Sequence, residues 1–239
     1  MKQITNKDDQ ITFHADVGES LANAIRRYLS QVQVLAINEV EISKNDSPLY
    51  DETVAHRLGL IPLITKGAVN EKTEMKLKLD VKKEGYVYSG DLKGEVQVVH
   101  NKIPITTLAK DQEVKITATV TAGKGSDHSK FSPGLMFYRN ISEITMPKEL
   151  QNEVKRIFPH NEIKEKGNKI IVMNDQKNDI EDACQGICEM AGKECEVSPK
   201  EELVITLESF GQMSTSDIIK KSVDALKKDL ADVAKHISK

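Results

Sequence analysis

The sequence predicts an α+β fold, in which helices near the two ends of the chain flank a mainly β region and a smaller segment that mixes helix and strand. Three observations carry this prediction. Apolar residues recur at helical spacing over residues 21–29 and again over residues 219–237. Between residues 74 and 120, apolar and polar residues alternate at strand spacing, with glycine-containing turns between the runs. Residues 147–197 show both patterns in turn.

The first helix is predicted over residues 16–29. Asp16 and Glu19 have the spacing of a capping box, which would satisfy free amide groups at the helix start. Arg26 and Arg27 lie at its far end. Its apolar stripe consists of Leu21, Ala24, Ile25, Tyr28 and Leu29. Because a helix of this length is marginally stable alone, another element must cover the stripe.

Strands and turns are predicted for the next hundred or so residues. Residues 34–42 alternate as a strand does, and residues 45–48 form a turn cluster. The segment 56–59 (HRLG) fits either a functional motif or the end of a helix with a basic last turn and a glycine cap. Residues 74–120 predict an antiparallel sheet with one exposed face. Residues 123–128 predict a glycine-rich surface loop, because they lack the spacing of a phosphate-binding loop.

The rest of the chain alternates between helical and extended patterns. We predict helix over residues 150–158, strand over 169–173, helix over 179–191, strand over 203–207 and a long final helix. Ser214 and Asp217 have the spacing of a capping box for that last helix. Its apolar residues follow a heptad: Ile219, Val223, Leu226, Leu230, Val233 and Ile237. The heptad favours packing against other helices, within or between chains, over packing on the core of its own domain.

The composition argues against several classes of protein. A formal net charge of −3 gives the chain as a whole no attraction to nucleic acid or anionic membranes, although local basic patches remain possible. No apolar run approaches the length of a membrane span. Three cysteines do not make a disulfide framework, so we expect a reducing, cytoplasmic environment. The six histidines are scattered, and neither HExxH nor GxSxG is present, so no catalytic site is indicated.

The cysteines are the one indication of a metal. Cys184 and Cys188 share a helix face with aliphatic residues, where thiols pack as small hydrophobic groups. The alternative is a metal or redox site that adds Cys195 and His160, although neither has the spacing of a zinc motif.

Three ordered blocks carry a resemblance to a known family. They are residues 18–27 (GESLANAIRR), residues 36–42 (AINEVEI) and residues 51–63, which include AHRLGLIPL. Together they resemble the alpha-type assembly subunits of multisubunit RNA polymerases, in their archaeal form, the D subunit. The segment 128–133 (HSKFSP) and the final heptad helix are similar to that family as well.

The resemblance implies an architecture and a set of partners. A discontinuous alpha-type dimerisation domain, with two long helices on a small antiparallel sheet, would comprise residues 1–44 and 201–239. A mainly β domain would be inserted at 45–146, and a small ferredoxin-like α+β insert at 147–200. The two apolar stripes would pair with the L subunit, and Arg26 and Arg27 would face the second-largest subunit. The small N and P subunits would join this platform. The chain itself would be non-catalytic, with no membrane and no direct nucleic acid contact.

The resemblance also bears on cofactors. Some relatives carry an iron–sulfur cluster on a CxxCxxCxxxC run, which aligns here with Asn178, Glu181, Cys184 and Cys188. Two of the four ligands are therefore missing, and Phe158 stands where a remote cysteine would. We expect no cofactor. Two other hypotheses stay open: a redox or metal module using Cys184, Cys188 and Cys195, and a nucleic-acid-binding domain.

Overall fold

The computed structural model describes residues 2–7, 9–70 and 72–237. Within these residues the helices are α1 (Glu19–Tyr28), α2 (Asp51–Gly59), α3 (Gln151–Ile157), α4 (Glu181–Met190) and α5 (Thr215–Ile237). The strands are β1 (Lys2–Lys7), β2 (Gln10–Ala15), β3 (Gln33–Asn45), β4 (Glu74–Val81), β5 (Gly85–Tyr88), β6 (Lys93–Gly94), β7 (Pro104–Leu108), β8 (Val114–Lys124), β9 (Gly134–Pro147), β10 (Ile163–Lys166), β11 (Lys169–Asn174) and β12 (Glu196–Ser209). The predicted α+β class is confirmed.

The chain divides into two units. One comprises Met1–Ala24 and Met136–Leu207, and the other comprises Ile25–Leu135 and Glu208–Lys239. None of the helices in the described part of the chain combines the length and apolar character that crossing a membrane would require.

The first unit is built on a six-stranded sheet with the order β1-β2-β12-β9-β11-β10. Strand β11 pairs antiparallel with β9 on one side and with β10 on the other. Helices α3 and α4 share a hydrophobic core with β9 and β11, to which Val154, Ile144, Ile170 and Ile187 contribute. The helix–strand–helix pattern predicted for this segment is confirmed, with α4 starting two residues later than predicted.

The second unit is built on a four-stranded sheet with the order β3-β8-β4-β6 and a separate β5-β7 pair. Strand β8 pairs antiparallel with β4, as predicted for residues 74–120, and it also pairs antiparallel with β3. One face of the sheet is buried under α2: Ile37, Leu77 and Ile116 pack with Val54 and Leu58 of the helix. The HRLG segment forms the end of α2, and the Arg57 guanidinium donates to the Ile105 carbonyl at 2.9 Å.

Two local predictions are wrong. The predicted loop at 123–128 begins inside β8, where Gly123 pairs with Val34 because β3 is long enough to extend the ladder. The predicted Asp16 cap of α1 is replaced by Gly18, whose carbonyl accepts from the N–H groups of Leu21 and Ala22. Glycine is acceptable at this position because the residue before a helix has non-helical backbone angles.

Candidate subunit interface

Helix α5 begins at a well-formed cap. The Ser214 hydroxyl oxygen accepts from the Asp217 N–H at 3.1 Å, and the same hydroxyl donates to Oδ2 of Asp217 at 2.8 Å. The predicted pairing of these residues is confirmed. In a capping box the carboxylate would accept from the backbone N–H of Ser214, whereas here it accepts from the hydroxyl group. The Ser209 hydroxyl donates to the Met213 carbonyl at 2.7 Å and so orders the turn before the helix.

The N-terminal half of α5 packs against its own unit. Ile218 and Ser222 are fully buried and Leu226 nearly so, and their spacing of four residues places them on one helix face. The Ser222 hydroxyl is satisfied by donating to the Ile219 carbonyl at 2.8 Å. Sequence reasoning missed Ile218 and Ser222. The available signal was the spacing of four residues between Ile218, Ser222 and Leu226. The first two lie one position before the heptad residues Ile219 and Val223, and Leu226 belongs to both patterns.

Further along α5, the heptad residues emerge into solvent. Ile219 and Val223 are half-buried. Leu230, Val233 and Ile237 are 59%, 55% and 80% exposed. Their spacings of three and four residues place them on one stripe of the helix. An ordered row of large aliphatic side chains in water is typical of a surface that another polypeptide covers.

The end of α1 meets α5 within the second unit. The Tyr28 hydroxyl donates to Oδ2 of Asp229 at 3.0 Å, and this hydrogen bond raises the pKa of Tyr28 above its ordinary value. Leu29 is buried in the 3-10 turn (Leu29–Gln31) that follows α1, and that turn contacts α5. The structure therefore brings together the last residues of the first stripe and the middle of the second. Ile25 is half-buried.

The start of α1 belongs to the first unit. Leu21 is 47% exposed, Ala24 is half-buried, and Ala22, which the predicted stripe omits, is fully buried. At the other end of the helix, the side chains of Arg26 and Arg27 are exposed. The Arg27 carbonyl accepts from the Ser30 hydroxyl at 2.8 Å, which fixes the backbone at this point.

The cysteines lie in the core of the first unit. Cys184 and Cys188 are buried on α4 among aliphatic side chains, and the half-buried Cys195 packs against the same cluster. Burial raises the pKa of the Cys184 thiol to about 11. Burial, followed by the proximity of Cys195, raises the pKa of Cys188 as well. Both thiols therefore pack as neutral groups in the hydrophobic core.

Asn178 and Glu181, which stand where the CxxCxxCxxxC run has cysteines, form hydrogen bonds within the protein. The Asn178 carbonyl accepts from Arg139 at 3.3 Å, and the Glu181 carboxylate accepts from the Ser142 hydroxyl at 3.5 Å. Among the described residues, no group of three His, Cys, Asp or Glu side chains is arranged to hold a metal ion. The donor set therefore does not fit a four-thiolate cluster.

Comparison with known proteins gives consistent similarities. Residues 40–136 match the family model described as the RNA polymerase Rpb3/RpoA insert domain. The chain is 37% identical over 161 residues to the DNA-directed RNA polymerase subunit Rpo3 of Thermococcus kodakarensis, covering 62% of each chain. It is 38% identical over 162 residues to the subunit of the same name from Pyrococcus horikoshii, covering 63% of this chain and 62% of the relative.

A third relative matches over a longer stretch. The chain is 29% identical over 253 aligned positions to the DNA-directed RNA polymerase subunit Rpo3 of Methanosphaera stadtmanae, covering 94% of this chain and 93% of the relative. In the Thermococcus and Pyrococcus proteins, by contrast, the match spans less than two thirds of the relative's own length.

Proposed function

We propose that the chain is a member of the family of the archaeal DNA-directed RNA polymerase subunit Rpo3 and that it serves as an assembly scaffold of such a polymerase. We assign no catalytic residue to it. The structural observation that carries the proposal is the exposed aliphatic stripe of Leu230, Val233 and Ile237 on α5. A helix face of this kind suits permanent association with another chain.

We propose a heterodimer with an L-like subunit. The partner would contact the exposed residues of α5, the half-buried Ile219 and Val223, and the α1 residues Leu21, Ala24, Ile25 and Tyr28. Burying apolar surface from water contributes about 25 cal/mol per Å², so three large aliphatic side chains are a substantial part of the driving force. Leu29 and Leu226 are already buried in their own unit, and we assign them the role of holding the paired helices in position.

We also propose the division into a dimerisation domain and two inserted domains that the family resemblance implies. Residues 1–44 and 201–239 would form the discontinuous dimerisation domain, and residues 45–146 the inserted domain. The match of residues 40–136 to an insert-domain model supports the second of these. Residues 147–200 would be a ferredoxin-like insert that keeps its hydrophobic core without a cluster.

The remaining partners follow from the family. We propose that the exposed Arg26 and Arg27 contact the second-largest subunit, and that the small N and P subunits join the same platform. Arginine suits a contact of this kind because its planar guanidinium can bind carboxylates with two hydrogen bonds. We expect the assembly to work in the cytoplasm.

The test is co-expression of the full-length chain with an L-like subunit, followed by size-exclusion chromatography. We expect one heterodimer peak for the native chain and loss of that peak for Leu230→Asp, because the variant places an unpaired charge in a dry interface. Ala231→Asp is the matched control, since the neighbouring residue is exposed and lies off the stripe. A stable monomer that ignores the L-like subunit would overturn the proposal.

The absence of a cofactor is tested separately. Iron–sulfur clusters show a broad absorption band at about 400 nm. Protein purified without oxygen should lack this band and should contain no stoichiometric iron. A cluster-containing protein would restore the redox alternative built on Cys184, Cys188 and Cys195.

A further inference from the structure

A groove runs along α5 in the second unit. Two cavities of about 590 and 410 Å³ lie beside the helix; the larger is bordered by residues 64–68, and the smaller by residues 31–33 and 68–69. Both are lined by Ala68 and Lys221, so they adjoin at these residues, and together they are called the groove. From Asp217 to Lys228 the helix rises about 17 Å, at 1.5 Å per residue, which is the length of about five residues of extended chain.

The groove is basic. Its lining includes four lysines and two aspartates: Lys66, Lys124, Lys221, Lys228, Asp217 and Asp229. Both carboxylates accept a hydrogen bond from a hydroxyl group, that of Ser214 or that of Tyr28. Within the described part of the chain, none of the four lysines forms an ion pair. Lys221 donates only to the Gly67 carbonyl, at 3.3 Å. The groove therefore carries excess positive charge that is not neutralised locally.

Within the described part of the chain, the groove contains a buried side-chain oxygen that has no hydrogen-bond partner. Gln212 lines the larger cavity, is 3% exposed, and has a buried Oε1 atom with no hydrogen-bond partner among the described residues. A buried acceptor without a donor is costly, because it has lost its hydrogen bonds to water. A ligand that brings an N–H group to this position would remove that cost.

We propose that this groove binds an extended acidic peptide segment of another polypeptide. A peptide supplies both things that the groove lacks: carboxylates for the lysines and backbone N–H donors for Gln212. Inorganic phosphate at neutral pH offers mainly acceptors. Single-stranded nucleic acid is disfavoured because no aromatic side chain lines either cavity to stack on its bases. The proposal does not depend on the polymerase assignment.

The experiment uses the full-length chain and fluorescence anisotropy. The probe is a dye-labelled seven-residue peptide that alternates Glu and Ser, and its counterpart has Gln in place of Glu. We expect the acidic peptide to bind and the Gln peptide to bind at least about tenfold more weakly, because the charge pairs are lost. Binding should also weaken as salt rises.

Matched variants locate the site. Lys221→Gln with Lys228→Gln should weaken binding about tenfold, as expected for the loss of two charge pairs. Lys220→Gln with Lys227→Gln removes the same charge from exposed positions on the same helix that do not line the groove, and should change binding less than about twofold. Gln212→Leu should weaken binding without lowering the thermal midpoint of the free protein, because it removes the unpaired acceptor.

The contrary results are equally specific. Equal weakening by the two lysine pairs would mean general attraction to a charged surface, and would overturn the proposal. Failure of the acidic peptide to bind, with phosphate or oligothymidine binding instead, would overturn it as well. Loss of pairing with an L-like subunit would bear on the scaffold role alone, so the two proposals fail independently.

Discussion

The hydroxyl group of Tyr28 donates a hydrogen bond of 3.0 Å to Oδ2 of Asp229, which is 201 residues further along the chain. This contact joins the end of α1 to the middle of α5. It also uses the one polar group of the first apolar stripe, so that the ring of Tyr28 can face an apolar neighbour while its hydroxyl stays satisfied.

The first prediction concerns the ionisation of Tyr28. Its pKa is raised, chiefly by the hydrogen bond to Asp229. The bond therefore stabilises the fold fully below the unfolded-state pKa of 10, and that contribution is lost as the pH rises through the higher folded-state value. Asp229→Asn should lower the pKa of this tyrosine. The measurement is the absorbance of tyrosinate at about 295 nm as a function of pH, and Asp224→Asn is the control. An unchanged titration in Asp229→Asn would show that the contact does not persist in solution.

The second prediction concerns the cap of α5. Ser214→Ala removes the side-chain acceptor of the Asp217 N–H, and should lower the free energy of unfolding by about 1 kcal/mol. Urea unfolding measures this loss. Ser216→Ala, an exposed serine in the same helical turn, should cost only a few tenths of a kcal/mol or less. Equal losses in the two variants would contradict the capping role.

The two helices show how far the sequence alone could reach. The spacing of the apolar residues was sufficient to identify both apolar stripes, because helical spacing is a local property of the sequence. The heptad rule, however, joined Leu226 and Leu230 into one seam, whereas the first is buried in its own unit and the second is exposed. Elements distant in sequence decide which half of an amphipathic helix packs against its own unit. For α5, the turn after α1 is such an element.

The strands show the same limit. Alternation predicted β4 and β8 well, because each buries one face. Alternation did not predict β1 and β2, because polar residues such as Thr12 are buried there. The hydroxyl oxygens of Thr12 and Thr206 lie 3.2 Å apart and are hydrogen-bonded. The continuation of β8 through Gly123 also depends on β3 as its partner. Pairing across many residues leaves no local signal in a single sequence.

The third prediction concerns acid stability. Glu113 lies 2.8 Å from the amines of both Lys44 and Lys82, and these hydrogen bonds lower its pKa to about 2. Because the folded-state pKa is depressed, the stabilisation is present above pH 4.5 and is lost as the pH falls toward 2.

Glu113→Gln should therefore be less stable than the native chain at neutral pH, by a modest amount that salt at about 1 M reduces. The difference in urea midpoint should shrink between pH 4.5 and 2. Glu84→Gln, which changes an exposed carboxylate in the same unit, is the control. A difference that stays constant with pH would mean that the ion pairs do not contribute.

The fourth prediction concerns the packing of Gly123. A Cβ atom at this position would lie 2.6 Å from Cε2 of the buried Phe131 ring. Gly123→Ala should therefore lower the free energy of unfolding by about 1–3 kcal/mol. In Gly59→Ala the nearest atom is the Ile37 carbonyl oxygen at 3.8 Å, an ordinary contact, so this control should be neutral or gain up to about 1 kcal/mol. Equal stability of the two variants would mean that Phe131 moves aside freely.

The last prediction concerns thiol reactivity. Because the thiolate is the nucleophile, the raised pKa values of the buried Cys184 and Cys188 should keep both thiols nearly inert toward a disulfide reagent at about pH 8. The half-buried Cys195 should react first. Cys195→Ser should abolish the fast phase, and Cys184→Ser should leave it intact. Urea should expose the remaining thiols together, because both lie in the core that α3 and α4 share with the sheet. Three equally fast thiols in the folded protein would mean that this core is open, and the packed α+β insert proposed for residues 147–200 would be wrong.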